Sequence, residues 1–595
     1  MCMAQAERGT PLSIAACGFL ILLLVLATSG CGDDESPTGP GVSPRLVFVS
    51  QPSDAIAGVA LSPAVRVAIR DESGNTVTDA TDPVTLELAS NPGNASLQGT
   101  VTVNAVAGIA TFSDLVIERA AAGYVLRARR GADLASSADF AIAPAAAVEI
   151  VFALEPTASE GAAPINPAAE VAVQDEFGNP VSGATNVTVA LSTITGGGTL
   201  SGTLTVSPVD GVAVFDDLSI DLPGEYALEA IAGALSATSA TFEVHLTFVS
   251  MTAGRSYTCG VTIAAAAYCW GINSSGQLGD GTTTDRTTPA LVSGGLRFAS
   301  LSAGRQHACG VTTAGAAYCW GENGNGRLGD GTETDRTTPV AVSGGLGFAS
   351  VSGGTFHTCG VTTADIAYCW GGNFDGQLGD GTETHRMTPV AVSGGLGFAS
   401  VRAGNFHSCG VTTGDIAYCW GYNGNGQLGD GTTTDRMTPV AVSGGLEFAS
   451  VSAAWGLHSC GVSTAAAVYC WGHNADGQLG DGTITNRTTP ALVSGGLTFT
   501  SVTAGISHTC GFTNAGVAYC WGFNGNGRIG DGTTTDRTTP ALVSGGLEFG
   551  SLSAGTEHTC GATAAGGGYC WGANSSGQLG EGTTIERTTP TQVVQ

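Results

Sequence analysis

The chain contains no lysine. Its 21 bases are all arginines, set against 49 acids, and the formal net charge over 595 residues is −28. A surface this short of cations is poorly suited to neutralising a run of phosphates, which argues against nucleic acid as a partner. It argues equally against electrostatic docking on anionic lipid. Charge of either sign is scarce, at 12% of residues, and aromatics make up only 7%. No stretch after the N-terminal leader shows the 3.6-residue apolar period of a helix; the apolar residues alternate instead, as in half-buried strands. Glycine is abundant, with 91 residues and no collagen-type triplet, which suits many tight turns.

Another absence concerns catalysis. An active site needs a unique constellation, whereas nearly every polar residue in the second half of the chain recurs in six or seven equivalents. No nucleophile stands oriented by a base, so no catalytic residue and no cofactor is expected, and the chain reads as a non-enzyme.

The N-terminus has the features of an export signal. Arg8 precedes the apolar stretch Leu12 to Ala27, and "TSGC" follows, ending at Cys31. The Gly30–Cys31 step resembles the bacterial lipobox, although Thr28 stands where leucine is usual; a plain secreted protein and a retained anchor are the alternatives. Residues 1–30 are assigned as signal peptide, and 31–44 as a lipidated cysteine with a polar tether. The membrane would then be reached only through that lipid, at the outer membrane or cell surface.

Residues 45–145 and 146–245 are an internal duplication at a spacing of 104. "LVFVSQPSDAIAGVALSPAVRVAIRDESGN" from Leu46 is matched by "IVFALEPTASEGAAPINPAAEVAVQDEFGN" from Ile150. Alternating segments such as "AVRVAIRD" predict strands, with turns at Asp71–Asn75 and Asp175–Asn179. Short strands over about 100 residues predict a two-sheet sandwich. Both copies resemble bacterial immunoglobulin-like domains, which implies a stalk.

From residue 246 to 595 a unit of about 50 residues recurs seven times. Each copy offers four strands, of the types "FASVSAG", "HTCGVT", "AYCWG" and "TPVAVSGG", which is the signature of a propeller blade. The fold class is therefore all-β: two sandwiches and then a seven-bladed propeller. Because the last copy stops at "TPTQVVQ", the strand near Thr247–Met251 is expected to cross over and complete the last blade. The motif "H-x-C-G-V-T…A-Y-C-W-G-x-N-x-x-G-Q-L-G-D-G" resembles the regulator of chromosome condensation repeat. That resemblance implies a seven-bladed platform for protein partners, whose best-known eukaryotic member exchanges nucleotide on a small GTPase. The leader, the cysteine pairs and the stalk depart from that type and argue against nucleotide exchange.

Each copy carries two cysteines ten positions apart. The pairs are Cys259 with Cys269, Cys309 with Cys319, Cys359 with Cys369, Cys409 with Cys419, Cys460 with Cys470, Cys510 with Cys520, and Cys560 with Cys570. Folding "CGVTTAGAAYC" as a hairpin sets the sulfurs opposite each other, so disulfides are expected in an exported chain. Free buried thiols are an alternative; zinc lacks two further ligands. The histidine slot (His307, His357, His407, His458, His508, His558, with Tyr257 in the first copy) is read as a structural hydrogen bond to a neighbouring loop rather than a metal site. The tryptophan of each "CWG" is read as filler between blades. The aspartates of "GDGTxTDR", Asp280 and Asp285 in the first copy, are read as turn caps, with Asp285 beside Arg286, in preference to a calcium loop.

Function should sit where the copies disagree. One variable slot precedes the histidine and holds Arg255, Arg305, Phe356, Phe406 and Trp455. The other follows "CWG" and holds Phe374, Tyr422, His473 and Phe523. Aromatics and arginines are what interfaces enrich. The expected function is a surface-anchored module binding a macromolecule on one propeller face, with protein favoured and glycan (a lectin or adhesin) second. An exported hydrolase or lyase on the same scaffold is the third reading, and drift at exposed positions is the plain alternative for the slots.

Overall fold

A computed structural model describes residues 44–193 and 197–594. The signal peptide, Cys31 and the tether up to residue 43 lie outside the described residues. The chain divides into two compact units between Ala143 and Pro144.

The first unit is a sandwich. One sheet pairs Arg45–Ser50, Val65–Arg70 and Ile109–Phe112; the other runs Ala55–Ile56, Phe140–Ala143, Ala121–Arg130, Pro83–Ser90, Thr102–Asn104. The alternation in "VRVAIR" puts Val65, Val67 and Ile69 inside, and Leu86, Phe112, Tyr124 and Leu126 are buried with them. The second unit opens with the same sandwich 104 residues on. Leu46 pairs with Ile69, and Ile150 with Val173, so the duplication preserves register. In both copies an aspartate caps its turn, Asp71 accepting the Asn75 amide and Asp175 that of Asn179. In both a buried tyrosine hydroxyl donates to a carbonyl a few residues upstream, Tyr124 to Arg119 and Tyr226 to Leu222.

Seven four-stranded antiparallel sheets follow, each formed by four consecutive strands. We number them as blades one to seven, over residues 248–291, 298–341, 348–391, 398–441, 448–492, 501–542 and 549–592. The crossover expected at the seam does not occur. Phe248–Ala253 pairs with Tyr257–Thr262 inside its own blade, and Arg587–Gln592 completes blade seven unaided. Every copy already supplies four strands in the same phase, so no strand is left to exchange. Blade seven meets blade one as other neighbours meet: the Phe248 amide donates to Gly566 O, and Trp270 Nε1 to Gln578 O.

The second sandwich abuts blade one. Glu160 accepts the Thr247 amide at 2.9 Å, Tyr268 donates to Asp221 O at 2.9 Å, and Arg297 to Ala162 O at 2.8 Å. Tyr268 is fully buried, whereas its counterparts in other blades are half-buried. Burial pushes the Glu160 carboxyl up, against the pull of the Thr247 amide.

Candidate functional site

The constant residues of the repeat build the joints between blades. All seven expected disulfides form: Cys259 to Cys269, Cys309 to Cys319, Cys359 to Cys369, Cys409 to Cys419, Cys460 to Cys470, Cys510 to Cys520, and Cys560 to Cys570. Each joins directly paired positions of the second and third strands of its blade, with Cα atoms 4.0–4.1 Å apart. These are staples within a blade that also serve the joint. The bridge between Cys409 and Cys419, for example, packs in the apolar core with Trp471 of the next blade. The glycine of "QLG" lets that indole approach. Gly429 has φ +70°, and a Cβ there would stand 2.8 Å from Trp471 Nε1.

The histidines bond across the joint. His307, His357, His407, His458, His508 and His558 each place Nε2 2.8–3.0 Å from a threonine or serine hydroxyl of the next blade. The partner is thus a strand residue and not the loop expected from sequence, because the inner strands are where adjacent blades come closest. Each hydroxyl gives its only proton to a carbonyl of the "GQL" or "GRL" type loop, as Ser408 does to Gln377 O at 2.9 Å. The imidazole must therefore carry hydrogen on Nε2 and donate it. The same carbonyl can accept the indole N–H as well, as Gln377 O does from Trp420. Burial, the largest cause, pulls these imidazoles far down, to about 3 at His357, His458 and His558 and about 4 at His407. Nδ1 in each is buried with no hydrogen-bond partner, so a second proton would have nowhere to bond.

Joint one–two is the exception, and it changes on both sides. Tyr257 replaces the histidine and donates to Gly304 O and His307 O. Ala308 stands where every other acceptor blade has Ser or Thr. The pair is a compensated swap. Tyr257→His alone should destabilise the ring by about 1–3 kcal/mol, since the new Nε2–H meets a methyl group. Adding Ala308→Thr should restore most of the loss. Urea unfolding of the single and double variants measures this coupling; a double variant no better than Tyr257→His alone would refute it.

The aspartate loops are closed on themselves. Asp280 accepts the Thr282 amide and hydroxyl and pairs with Arg286 at 2.9 Å; Asp285 instead accepts the Asn273 amide. The ion-pair partner is therefore the aspartate six residues before the arginine, not its neighbour as sequence suggested. Burial works to raise the Asp280 carboxyl, but these bonds outweigh it and hold it below the usual range.

The two variable slots lie side by side. In each blade the residue after "CWG" donates its amide to the residue before the histidine, as Gly372 N does to Phe356 O and Tyr422 N to Phe406 O. The glycine of "CWG" makes room: Gly271 has φ +108°, and a Cβ would stand 2.5 Å from Ser256 O. Around the axis, one residue from every blade (Arg255, Arg305, Thr355, Asn405, Trp455, Ile506, Thr556) lines a hollow of 290 Å³, joined by Glu557.

Farther out, four aromatics form an unbroken run over blades three and four. Phe374 meets Phe356 edge-on at 5.6 Å, Phe356 meets Phe406 at 5.2 Å, and Phe406 meets Tyr422 at 6.4 Å. Phe374 is exposed and the other three are half-buried. Beside them a second hollow of 340 Å³ is bounded by Asp375, Asn405, Phe406, Tyr422 and Leu457.

His473 and Phe523 do not join that run. His473 Nδ1 sits 2.8 Å from Gln478 Nε2, and Phe523 lies under the Arg528 guanidinium at 4.8 Å. Sequence reading missed Arg528 and Arg327. Arg327 stands 5.7 Å from the Phe356 ring and pairs with Glu322 at 3.1 Å. The signal was the change from "GQL" to "GRL" and "GRI" in two copies.

The repeat described as "Regulator of chromosome condensation (RCC1) repeat" matches residues 266–311, 314–361, 366–411, 415–461, 466–511, 515–562 and 566–595. Among solved structures, human WBSCR16 is similar at 20% identity, with a TM-score of 0.51 over 56% of this chain and 94% of its own. Yeast RCC1 (Prp20), solved bound to Kap60, is similar at 18% identity, with a TM-score of 0.50 over 59% of this chain and 85% of its own. At those identities the likeness is one of fold. No curated protein matches the chain. The matched segments occupy more than half of the sequence and fall within the ring, and the protein belongs to the regulator of chromosome condensation repeat family.

Proposed function

We propose that the chain is a non-enzymatic binding module whose propeller holds a protein partner on the variable face. The observation that carries this reading is the aromatic run Phe374–Phe356–Phe406–Tyr422, set beside a hollow to which all seven blades contribute. Contiguous, rigid rings with a polar surround are what hot spots are made of. The family supports it, since a propeller of this type was solved in complex with a protein, Kap60. Seven disulfides fit an oxidising compartment. Attachment through a lipid on Cys31, with the sandwiches as stalk, belongs to the same proposal.

A glycan ligand is the second reading. Asp375 and Asn405 beside Phe406 and Tyr422 combine a stacking platform with hydrogen-bonding groups. The test is capture from living cells with the full chain and with Phe356→Ala/Phe406→Ala. Binding should weaken about 100-fold in the variant. Protease treatment of the target cells should abolish capture; survival of capture after protease but loss after glycosidase would select the glycan. Cys31→Ser should leave affinity unchanged and move the protein from the membrane to the soluble fraction. Equal binding by the double aromatic variant would remove this face from consideration.

A further inference from the structure

The innermost strands of the seven blades enclose an axial cavity of 240 Å³. Six blades present a hydroxyl to it at one equivalent position: Thr252, Ser302, Ser352, Ser452, Thr503 and Ser553. Each accepts a backbone amide of the next blade at 3.0–3.2 Å, as Thr252 does from Ala303 and Thr503 from Ala554. One lone pair of each oxygen is thereby engaged, and the O–H proton, which has no acceptor among the described residues, is left to donate into the cavity. The seventh position is Arg402.

Arg402 breaks a pattern that the rest of the ring keeps. It is exposed to the water of the cavity yet surrounded by the chain, and that enclosure pulls its guanidinium below the usual arginine range while leaving it cationic. No carboxylate lines the cavity, and Arg402 has no ion pair or hydrogen bond among the described residues. In a chain of net charge −28, an enclosed cation without a counter-ion is an anomaly. Trp455 lines both this cavity and the hollow at its mouth, where Arg255 and Arg305 outnumber Glu557. Positive charge therefore continues from the variable face to the axis.

We propose that the axial cavity binds a small oxyanion, of the phosphate, sulfate or carboxylate class, with the Arg402 guanidinium as its charge partner and the surrounding hydroxyls as donors. Its volume corresponds to about eight waters, enough for such a group with part of its hydration. Guanidinium is suited to oxyanions by its planar, forked donors. The site does not depend on what the variable face binds.

The test compares the full chain with Arg402→Ser and Arg402→Lys. Serine is the residue of the equivalent position in four of the other six blades, and it would give the Ala453 amide the acceptor that its counterparts have, so this variant should fold. Calorimetric titration with inorganic phosphate at constant ionic strength should show a single site in the parent chain. Arg402→Ser should lose affinity by at least about tenfold, and Arg402→Lys should fall between, because a point charge replaces a fork. Phosphate should raise the unfolding temperature of the parent and not that of Arg402→Ser. Acetate in a parallel arm identifies whether a lone carboxylate suffices; binding by either anion that depends on Arg402 supports the site. Equal responses of parent and Arg402→Ser would reduce the effect to general salt exclusion and overturn the proposal, as would absence of binding in the parent.

Discussion

Acidification from neutral pH to about 4.5 should lower the unfolding midpoint by on the order of 10 °C. The cause is the set of six buried imidazoles. In the unfolded chain each gains a proton near pH 6.5. In the folded ring the same groups are held down, to about 3 at His357, His458 and His558 and about 4 at His407, with His307 and His508 also well below the usual value. Between those limits the unfolded state binds more protons, so stability is present in full above 6.5 and drains away as pH falls. Even 1 kcal/mol for each ring would sum to about 6 kcal/mol, comparable with the stability of an ordinary domain. The aspartates paired with arginine, held below their usual range, add a second loss only at lower pH. Thermal melts across pH, with imidazole proton resonances of the folded protein, measure both parts. A midpoint that stays flat from pH 7 to about 5, or rings that titrate near 6.5 in the folded state, would contradict this account.

Reduction should have an effect of similar size. Each disulfide closes a short hairpin and contributes about 2 kcal/mol through the unfolded state. Because each also fills the core beside the next blade's indole, losses at neighbouring joints are coupled and need not add. Full reduction should lower the midpoint by on the order of 15 °C, while Cys409→Ala/Cys419→Ala should cost about 2–4 kcal/mol, including the space left against Trp471. Urea unfolding with and without a strong reductant gives both numbers. A reduced chain as stable as the oxidised one would show that packing alone holds the hairpins.

Much of the architecture was legible because the sequence states it repeatedly. Seven copies with four alternating segments fix the blades, and two cysteines equidistant from one turn fix their own pairing. What could not be read was which atoms meet across a joint. That depends on the lateral offset between neighbouring sheets, and no period within one copy reports it. The histidine's partner, the arginine that Asp280 selects and the self-contained seam all lie beyond what that period encodes. The Tyr257/Ala308 swap was written in the sequence, but it becomes meaningful only once the two positions are known to touch. For the variable slots, sequence identified positions without neighbours. Their adjacency follows from a backbone hydrogen bond repeated in every blade, and the grouping of Phe356, Phe374, Phe406 and Tyr422 from side-chain directions. Arg402 was passed over because it sits in a strand otherwise constant in character, where one odd letter looks like noise.

The way the ring shuts has a consequence for how such a chain can begin. Since no strand is shared between first and last blades, the circle has no privileged start. The break between residues 592 and 248 is chemically equivalent to the short connections between the other blades. Opening one of those connections and joining residue 592 to residue 248 would keep the ring with its break relocated, whereas the second sandwich would stay matched to blade one through Thr247, Tyr268 and Arg297.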